Sequence, residues 1–423
     1  MTSILQTLSR ADGYEPESLD AERARQLILD LVSPVEGIER IGVREALGRV
    51  LAEDVVSPLN VPAHDNSAMD GYAVRFADLV PDGETPLRLI GTAFAGRAFE
   101  GSLGAGECVR IMTGGVIPAG ADTVVVQEVV RAEGDRVIVP PRQRQGQNLR
   151  RAGEDLRAGT PALRAGKLLR PAELGLVASL GLGEVAVRRR LRVAFFSTGD
   201  ELASIGTPLK AGEVYDSNRY TIHGMLARLG CEIVDLGVVR DEPAALEAAF
   251  REAARADAIL TSGGVSVGEA DFIRALMARL GEVAFWKIAM RPGRPMAFGR
   301  IGDDANSAWL FGLPGNPVAV MVTFYAFVRD ALLKLSGVDP VEPLPRFRVP
   351  CMTPLKKRPG RSEFQRGILF SENGEWKVRA TGAQGSGVLR SMSEANCLIV
   401  VEHERGNVEP DEMVGVQPFE GLV

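Results

Sequence analysis

The sequence predicts an α/β fold combined with all-β domains: a doubly wound α/β domain, an inserted elongated β domain and a C-terminal β barrel or sandwich. Three observations predict it. Between residues 191 and 338, apolar strand-like runs alternate with amphipathic helical stretches. From 52 to 148 the chain shows short apolar runs broken by Gly and Pro. After the proline-rich Asp339-Pro-Val-Glu-Pro-Leu-Pro345 a short-strand texture returns.

Taken in order, Ser18 to Leu31 and Val43 to Leu51 carry apolar residues at three- and four-residue spacing and read as helices. The insert follows, with runs such as Cys108-Val-Arg-Ile-Met112 and Thr123-Val-Val-Val-Gln127. Helical character resumes at Pro171 to Leu180, so 1–51 and 149–190 form one discontinuous N-terminal domain around the insert 52–148. In 191–338, strands are expected at 191–196, 232–239, 257–260 and 282–288, with helices at about 217–229, 243–255 and 271–280. That alternation implies a parallel sheet with its site at the carboxyl ends of the strands. Residues 339–423 form the C-terminal β domain.

Composition sets the bounds. A chain of 423 residues exceeds one ordinary core, so roughly two to four domains are expected. The 45% hydrophobic and 25% charged fractions suit a globular protein, and a net charge of −6 argues against bulk nucleic-acid binding. No apolar run reaches the ~18 residues of a membrane span, and the N-terminus lacks a secretory pattern. Cys108, Cys231, Cys351 and Cys397 are widely spaced, which suits free thiols in a reducing cytoplasm. His64, His223 and His403 are not paired at ligand spacing.

The chemistry concentrates in a few segments. Thr261-Ser-Gly-Gly-Val-Ser-Val-Gly-Glu-Ala-Asp271 lies between an apolar strand and an amphipathic helix. A glycine-rich turn there lets backbone N–H groups converge on an anion at a helix start. Glu269 and Asp271 suit phosphate only through a divalent cation. Polar clusters follow the other strands: Ser197-Thr-Gly-Asp-Glu-Leu202, Arg240-Asp241-Glu242, and Lys287 with Arg291-Pro-Gly-Arg-Pro295. On one rim they would hold a phosphorylated substrate with Mg²⁺, while Thr198 or Asp241 alone would read as a turn or cap residue. Gly312-Leu-Pro-Gly-Asn-Pro317 opens an apolar helix, Val318 to Leu335, and is either an oxyanion receptor or a tight turn. In the insert, His64-Asp-Asn-Ser-Ala-Met-Asp-Gly-Tyr-Ala73 makes Asp65 and Asp70 candidates for metal or pterin contacts, with Met69 and Tyr72 packing.

The combination DNSAMDGYAVR, RIMTGG, GEDLRAG, STGDEL, TSGGVSVGEADF, FWKIAM, GLPGNPV and FQRG resembles the molybdopterin molybdenumtransferase family, which includes the E domain of gephyrin. The resemblance runs from about residue 60 to 390. It implies that 191–338 is a molybdopterin-binding α/β domain, and that members are homodimers with a cleft shared between subunits. It further implies insertion of molybdate into adenylylated molybdopterin with Mg²⁺-dependent release of AMP. Acidic site positions fall on Asp65, Asp155, Glu201, Asp241 and Asp271, the metal set being Glu201, Asp241 and Asp271, with Lys287 also catalytic. Oxyanion and substrate positions fall on Arg291, Arg294, Pro314, Pro317, Arg366, Ser386 and Thr113, beside Ser262, Gly263, Gly264 and Ser266 of the glycine turn. Where many members read KPGKP, this chain reads Arg291-Pro-Gly-Arg294-Pro, replacing ammonium groups with planar guanidinium forks. A molybdopterin adenylyltransferase and downstream molybdoenzymes or their chaperones are the implied partners. Molybdopterin adenylyltransferase activity, or a non-catalytic gephyrin-like scaffold, are the alternatives.

Overall fold

The computed structural model of this chain describes residues 3–264, 270–303 and 306–419, with backbone alone for 270–272. Ser266, Glu269 and the side chain of Asp271 lie outside the described residues.

The α/β domain holds the centre. It runs β1 (Arg192–Thr198), α1 (Ser217–Arg228), β2 (Glu232–Val239), α2 (Pro243–Ala253), β3 (Ala258–Ser262), α3 (Ala270–Leu280), β4 (Gly281–Lys287), β5 (Pro295–Gly302), β6 (Ser307–Leu313) and α4 (Pro317–Thr323). Central strands β1 and β3 are buried after Arg192 because both faces are covered, with apolar residues up to the polar Ser197-Thr198 and Thr261-Ser262 at their carboxyl ends. Asp216 caps α1, and Pro243 opens α2 where a missing N–H costs nothing. One face packs Phe195, Leu260, Ile222 and Val320, and the other packs Phe196, Ile259, Phe250 and Met277.

The strand order is β2-β1-β3-β6-β5-β4. β2, β1, β3 and β6 are parallel, while β5 runs antiparallel to both β6 and β4. One correction to the expected parallel four-strand sheet follows: the sheet is mixed, and Lys287 ends β4 on the same rim but at the edge opposite β2. The cause is the β5–β6 pair, whose strands the sequence reading left unassigned. Phe298 of β5 explains why they belong inside: it packs against Trp286, Trp309 and Phe311 at centroid distances of 5.4 to 5.6 Å.

The expected helix Val43 to Leu51 is instead a short 3₁₀ turn, Val43–Ala46, ending near Gly48 at φ +72°. Strand Ile38–Gly42 precedes it and pairs with Glu184–Arg188. The helix expected from Val318 to Leu335 is broken in register by a π-helical turn, Phe324–Val328, before Arg329–Leu335. Helices at Ala21–Leu31 and Pro171–Ser179 form as expected.

In the insert, six strands order as Thr123–Val126, Gly71–Val74, Glu107–Ile111, Thr85–Ala93, Arg136–Val139 and Arg131–Glu133. Tyr72 packs inside it, whereas Met69 is exposed, contrary to the expectation for that residue. The C-terminal sheet is built on the long strand Ser362–Glu372, and Met290–Arg291 of the α/β domain joins it in parallel. That short pairing ties the oxyanion segment to the C-terminal domain. Among the described residues no helix is long and apolar enough to cross a membrane.

Candidate active site

At the carboxyl rim, β1 and β3 end side by side, with Ser197 in register with Ser262. Chain reversal after β3 depends on Gly263, at φ +95°, where a Cβ would lie 2.5 Å from the Thr198 carbonyl oxygen. After β1 the chain turns at Gly199, and a Cβ there would meet the Glu201 carboxylate at 2.5 Å. Glu201 therefore folds back over the end of β1. Asp241 lies two residues past β2, the neighbouring strand, and is half-buried. Asp271 sits near the start of α3, beyond β3. Three of the expected acidic positions thus follow three adjacent strands.

The same rim holds polar atoms with no hydrogen-bond partner among the described residues. They are Ser197 Oγ, Thr198 Oγ1, Thr261 Oγ1, Asp216 Oδ2 and Asn218 Oδ1, all on buried residues. Thr198 is therefore not a cap. Unsatisfied buried groups are costly, and five of them gather at this one end of the sheet. Asp216 and Asn218 escaped the sequence reading. Tyr215-Asp-Ser-Asn218 looks like an ordinary helix start, and only burial separates these two residues from routine caps.

A second cluster forms where the α/β and C-terminal domains meet. Arg366 is 1% exposed and donates from Nε to Ser391 Oγ at 2.9 Å and from Nη2 to the Gly385 carbonyl at 2.9 Å. No carboxylate neutralises it among the described residues. Burial, helped by the nearby Arg291 guanidinium, pushes its pKa down to about 10. Arg291 and Arg366 line a polar cavity of about 290 Å³ with Lys356, Gln365, Gln384 and Glu363, whose carboxylate pairs with Arg361 at 2.7 Å. The Ser386 carbonyl accepts from Val318 N at 3.1 Å, which brings the 385–387 turn against Pro314–Pro317. That bond also occupies one of the helix-start N–H groups which the sequence offered to an anion.

Lys287 stands apart from the first cluster, three strand spacings or about 14 Å from β3. Its ammonium pairs with Glu17, whose carboxyl it holds below the usual range. Residues 16–19 run along the end of β4, with Lys287 N donating to the Pro16 carbonyl at 2.7 Å. Arg291 and Arg294 are exposed.

In the insert, Asp65 accepts from Ala152 N at 2.8 Å and pairs with Arg151 at 2.6 Å. Asp70 accepts from Thr113 N and Oγ1 at 2.7 and 2.8 Å. Backbone N–H groups are the first cause holding both carboxyls below the usual range. Asp155 is exposed. The hydrogen bonds of Asp65, Asp70 and Thr113 stay within the insert and its return segment, so within one chain these residues form a separate acidic lip.

Three sequence profiles match in succession: "MoeA N-terminal region (domain I and II)" over 19–181, "Probable molybdopterin binding domain" over 194–334, and "MoeA C-terminal region (domain IV)" over 348–419. A molybdopterin molybdenumtransferase from Haemophilus influenzae is 44% identical over 408 residues, covering 96% of this chain and 100% of that protein. The chain belongs to the molybdopterin molybdenumtransferase family. It is accordingly an enzyme of molybdenum cofactor biosynthesis. A second member, from Nostoc, is 37% identical over 388 residues, covering 89% of this chain and 88% of its own. The crystal structure of a molybdopterin biosynthesis moeA protein from Pyrococcus horikoshii OT3 superposes with a TM-score of 0.78 at 27% identity, covering 95% of this chain and 100% of that one.

Proposed function

We propose that this chain inserts molybdenum from molybdate into the dithiolene of adenylylated molybdopterin and releases AMP, as a cytoplasmic homodimer. The observation that carries the oxyanion half is Arg366. A buried guanidinium bonded only to neutral acceptors, with Arg291 beside it, leaves positive charge unspent in a polar cavity. A tetrahedral dianion such as molybdate supplies the missing charge. Arg291, Arg366 and the turn carrying Ser386 bind and orient it, with Arg294 and Lys287 at the entrance.

The nucleotide half belongs to the other cluster. Glu201 and Asp241 follow adjacent strands, and Asp271 follows the third, which is a donor set of hard oxygens suited to Mg²⁺. When bound there, Mg²⁺ would neutralise pyrophosphate charge and stabilise the departing AMP. Gly263 and Gly264, both at positive φ, would turn backbone N–H groups towards a phosphate. Positioning and electrostatics, not a covalent nucleophile, carry the rate. The test is Asp271→Asn, with AMP release from adenylylated molybdopterin measured at saturating molybdate and Mg²⁺. We expect about a hundredfold loss, and wild-type turnover would remove the metal assignment.

The acidic lip of the insert is part of this reading. Asp65, Asp155 and Thr113 complete the cleft of a second copy, so each cleft joins two chains. Exposed Ile205, Leu209, Val214, Tyr215 and Tyr220 beside the rim are apolar surface that a second copy would cover. Mixing Asp65→Asn with Asp241→Asn chains tests this directly. Mixed dimers hold one intact cleft, so activity should recover to about a quarter of wild type. No recovery would mean that both halves act within one chain.

A further inference from the structure

Arg366 belongs to the long strand Ser362–Glu372, one edge of which pairs with Cys397–Val401 from Glu363 to Gly367. The other edge is shared: Met290–Arg291 covers Ser362 and Glu363, and Glu375–Ala380 covers Gly367 to Glu372. Between these partners, at 364–366, no strand of the described residues pairs with that edge. Gln384 fills the gap at Arg366 with its side chain. Its Oε1 accepts from Arg366 N at 2.8 Å, and its Nε2 donates to the Arg366 carbonyl at 3.0 Å. The amide thus stands in for a strand neighbour. Its orientation is decided by the bonding, because only Oε1 can accept the Arg366 proton.

The same turn takes the far end of the arginine. Nη2 donates to the Gly385 carbonyl at 2.9 Å and to that of Ala383 at 3.4 Å, and Nε donates to Ser391 Oγ at 2.9 Å. Ser391 Oγ gives its own proton to the Val388 carbonyl at 2.6 Å, which keeps its lone pairs for Nε. Three of the five guanidinium N–H bonds are spent in this way, and the Nη1 pair meets no acceptor among the described residues. Glu363, the carboxylate of the same cavity, does not draw the fork away. Its Oε1 takes Arg361 Nε and Nη2 at 3.0 and 2.7 Å, and its Oε2 takes Gln365 Nε2 at 3.2 Å. One end of one guanidinium is left open on the cavity wall.

Gln384 lines that cavity too, yet it has no donor left for an anion. Its two Nε2 protons go to the Arg366 carbonyl and, at 3.2 Å, to Thr381 Oγ1. We propose that Gln384 and Ser391 are positioning residues, which aim the Nη1 edge of Arg366 at the oxyanion without touching it themselves. Burial alone would leave the side chain a choice of rotamers, whereas bonds at Nε, at Nη2 and at both backbone groups select one. A fork fixed before the ligand arrives loses little freedom on binding, so its aim is expressed as affinity. Nothing local in the sequence announces the arrangement, since Gln384 and Ser391 lie 18 and 25 residues beyond Arg366. This assignment rests on the function proposed above and adds which residues hold its anion ligand in place.

The test uses the full chain and sodium molybdate, with binding followed by calorimetry. The wild type should bind molybdate, and Gln384→Met should bind it about tenfold more weakly while AMP affinity stays the same. Gln384→Asn keeps the amide but falls one methylene short of the strand, and should weaken molybdate as much as Gln384→Met does. In turnover, the molybdate needed for half-maximal AMP release should rise about tenfold, with the saturating rate within roughly twofold of wild type. A loss confined to the saturating rate overturns the assignment, and so does full molybdate affinity in either folded Gln384 variant. Ser391→Ala removes only the Nε acceptor and should cost about fivefold, which keeps the test readable if the Gln384 variants do not fold. Unchanged affinity in Ser391→Ala also overturns it. Should the wild type bind no molybdate, or Arg366→Met bind it equally well, the oxyanion reading of the cavity fails as a whole. Should Arg366→Met lose binding that the Gln384 and Ser391 variants keep, that reading stands and this assignment alone falls.

Discussion

The acidic lip of the insert and the carboxyl rim of the α/β sheet both collect carboxylates, but they use them in opposite ways. Asp65 and Asp70 are satisfied by backbone N–H groups, Arg151 and the Thr113 hydroxyl. Asp216 and Asn218 are more deeply buried, yet each keeps an oxygen without a donor. A satisfied carboxylate holds its own turn and presents a finished surface. An unsatisfied buried acceptor carries a desolvation cost that its own turn does not repay. The comparison predicts that damage at the rim appears in catalysis and damage at the lip in local stability, with activity lost only through the partner cleft.

The largest effect tests the rim. Asp241→Asn should lower AMP release about a hundredfold with little change in melting temperature, because it removes charge where the leaving group departs. An equal loss of stability and activity would make Asp241 structural. Next comes the oxyanion cavity. Charging Arg366 in its buried setting costs on the order of 3 kcal/mol at neutral pH, from a pKa displaced from 12.5 to about 10. Molybdate or tungstate should therefore raise the melting temperature of the wild type. Arg366→Met should abolish that rise and increase the molybdate needed for half-maximal rate at least about tenfold. A preserved rise would place the anion elsewhere.

At the lip, Asp65→Ala should destabilise the insert by about 1 kcal/mol, mainly through the lost N–H acceptor, since its exposed ion pair adds little. Because the folded pKa lies below the ordinary 3.8, this contribution is complete above that pH and fades as pH falls further. Hydrogen exchange at Ala152 between pH 3 and 6 checks the sign. The smallest effect belongs to Glu17→Gln, which frees Lys287 from an exposed partner. It should change the molybdate requirement by no more than roughly twofold, and only at low salt.

Much of this was legible in the chain itself. The strand–helix alternation of 191–287, the β texture of the insert and the glycine turn after β3 all follow from local pattern, because periodicity and glycine placement report local backbone. The β5–β6 pair was not legible. Pro295 and the few residues separating Gly302 from Ser307 obscured two buried strands, and their insertion carried Lys287 away from β3. Asp216 and Asn218 were also hidden, since an Asp before a helix signals a cap whether it is buried or not.

By itself, then, the amino-acid order determined the family, the alternation of layers and the list of charged residues from which a site could be drawn. Only the tertiary structure decided which of those charges are already answered and which are not. Hydrogen-bond satisfaction depends on neighbours distant in sequence, such as Ser262 and Gly315 for Asn218, or Gly385 and Ser391 for Arg366. Desolvation gives those partnerships their energy, and burial is a property of the packed chain that no local pattern contains.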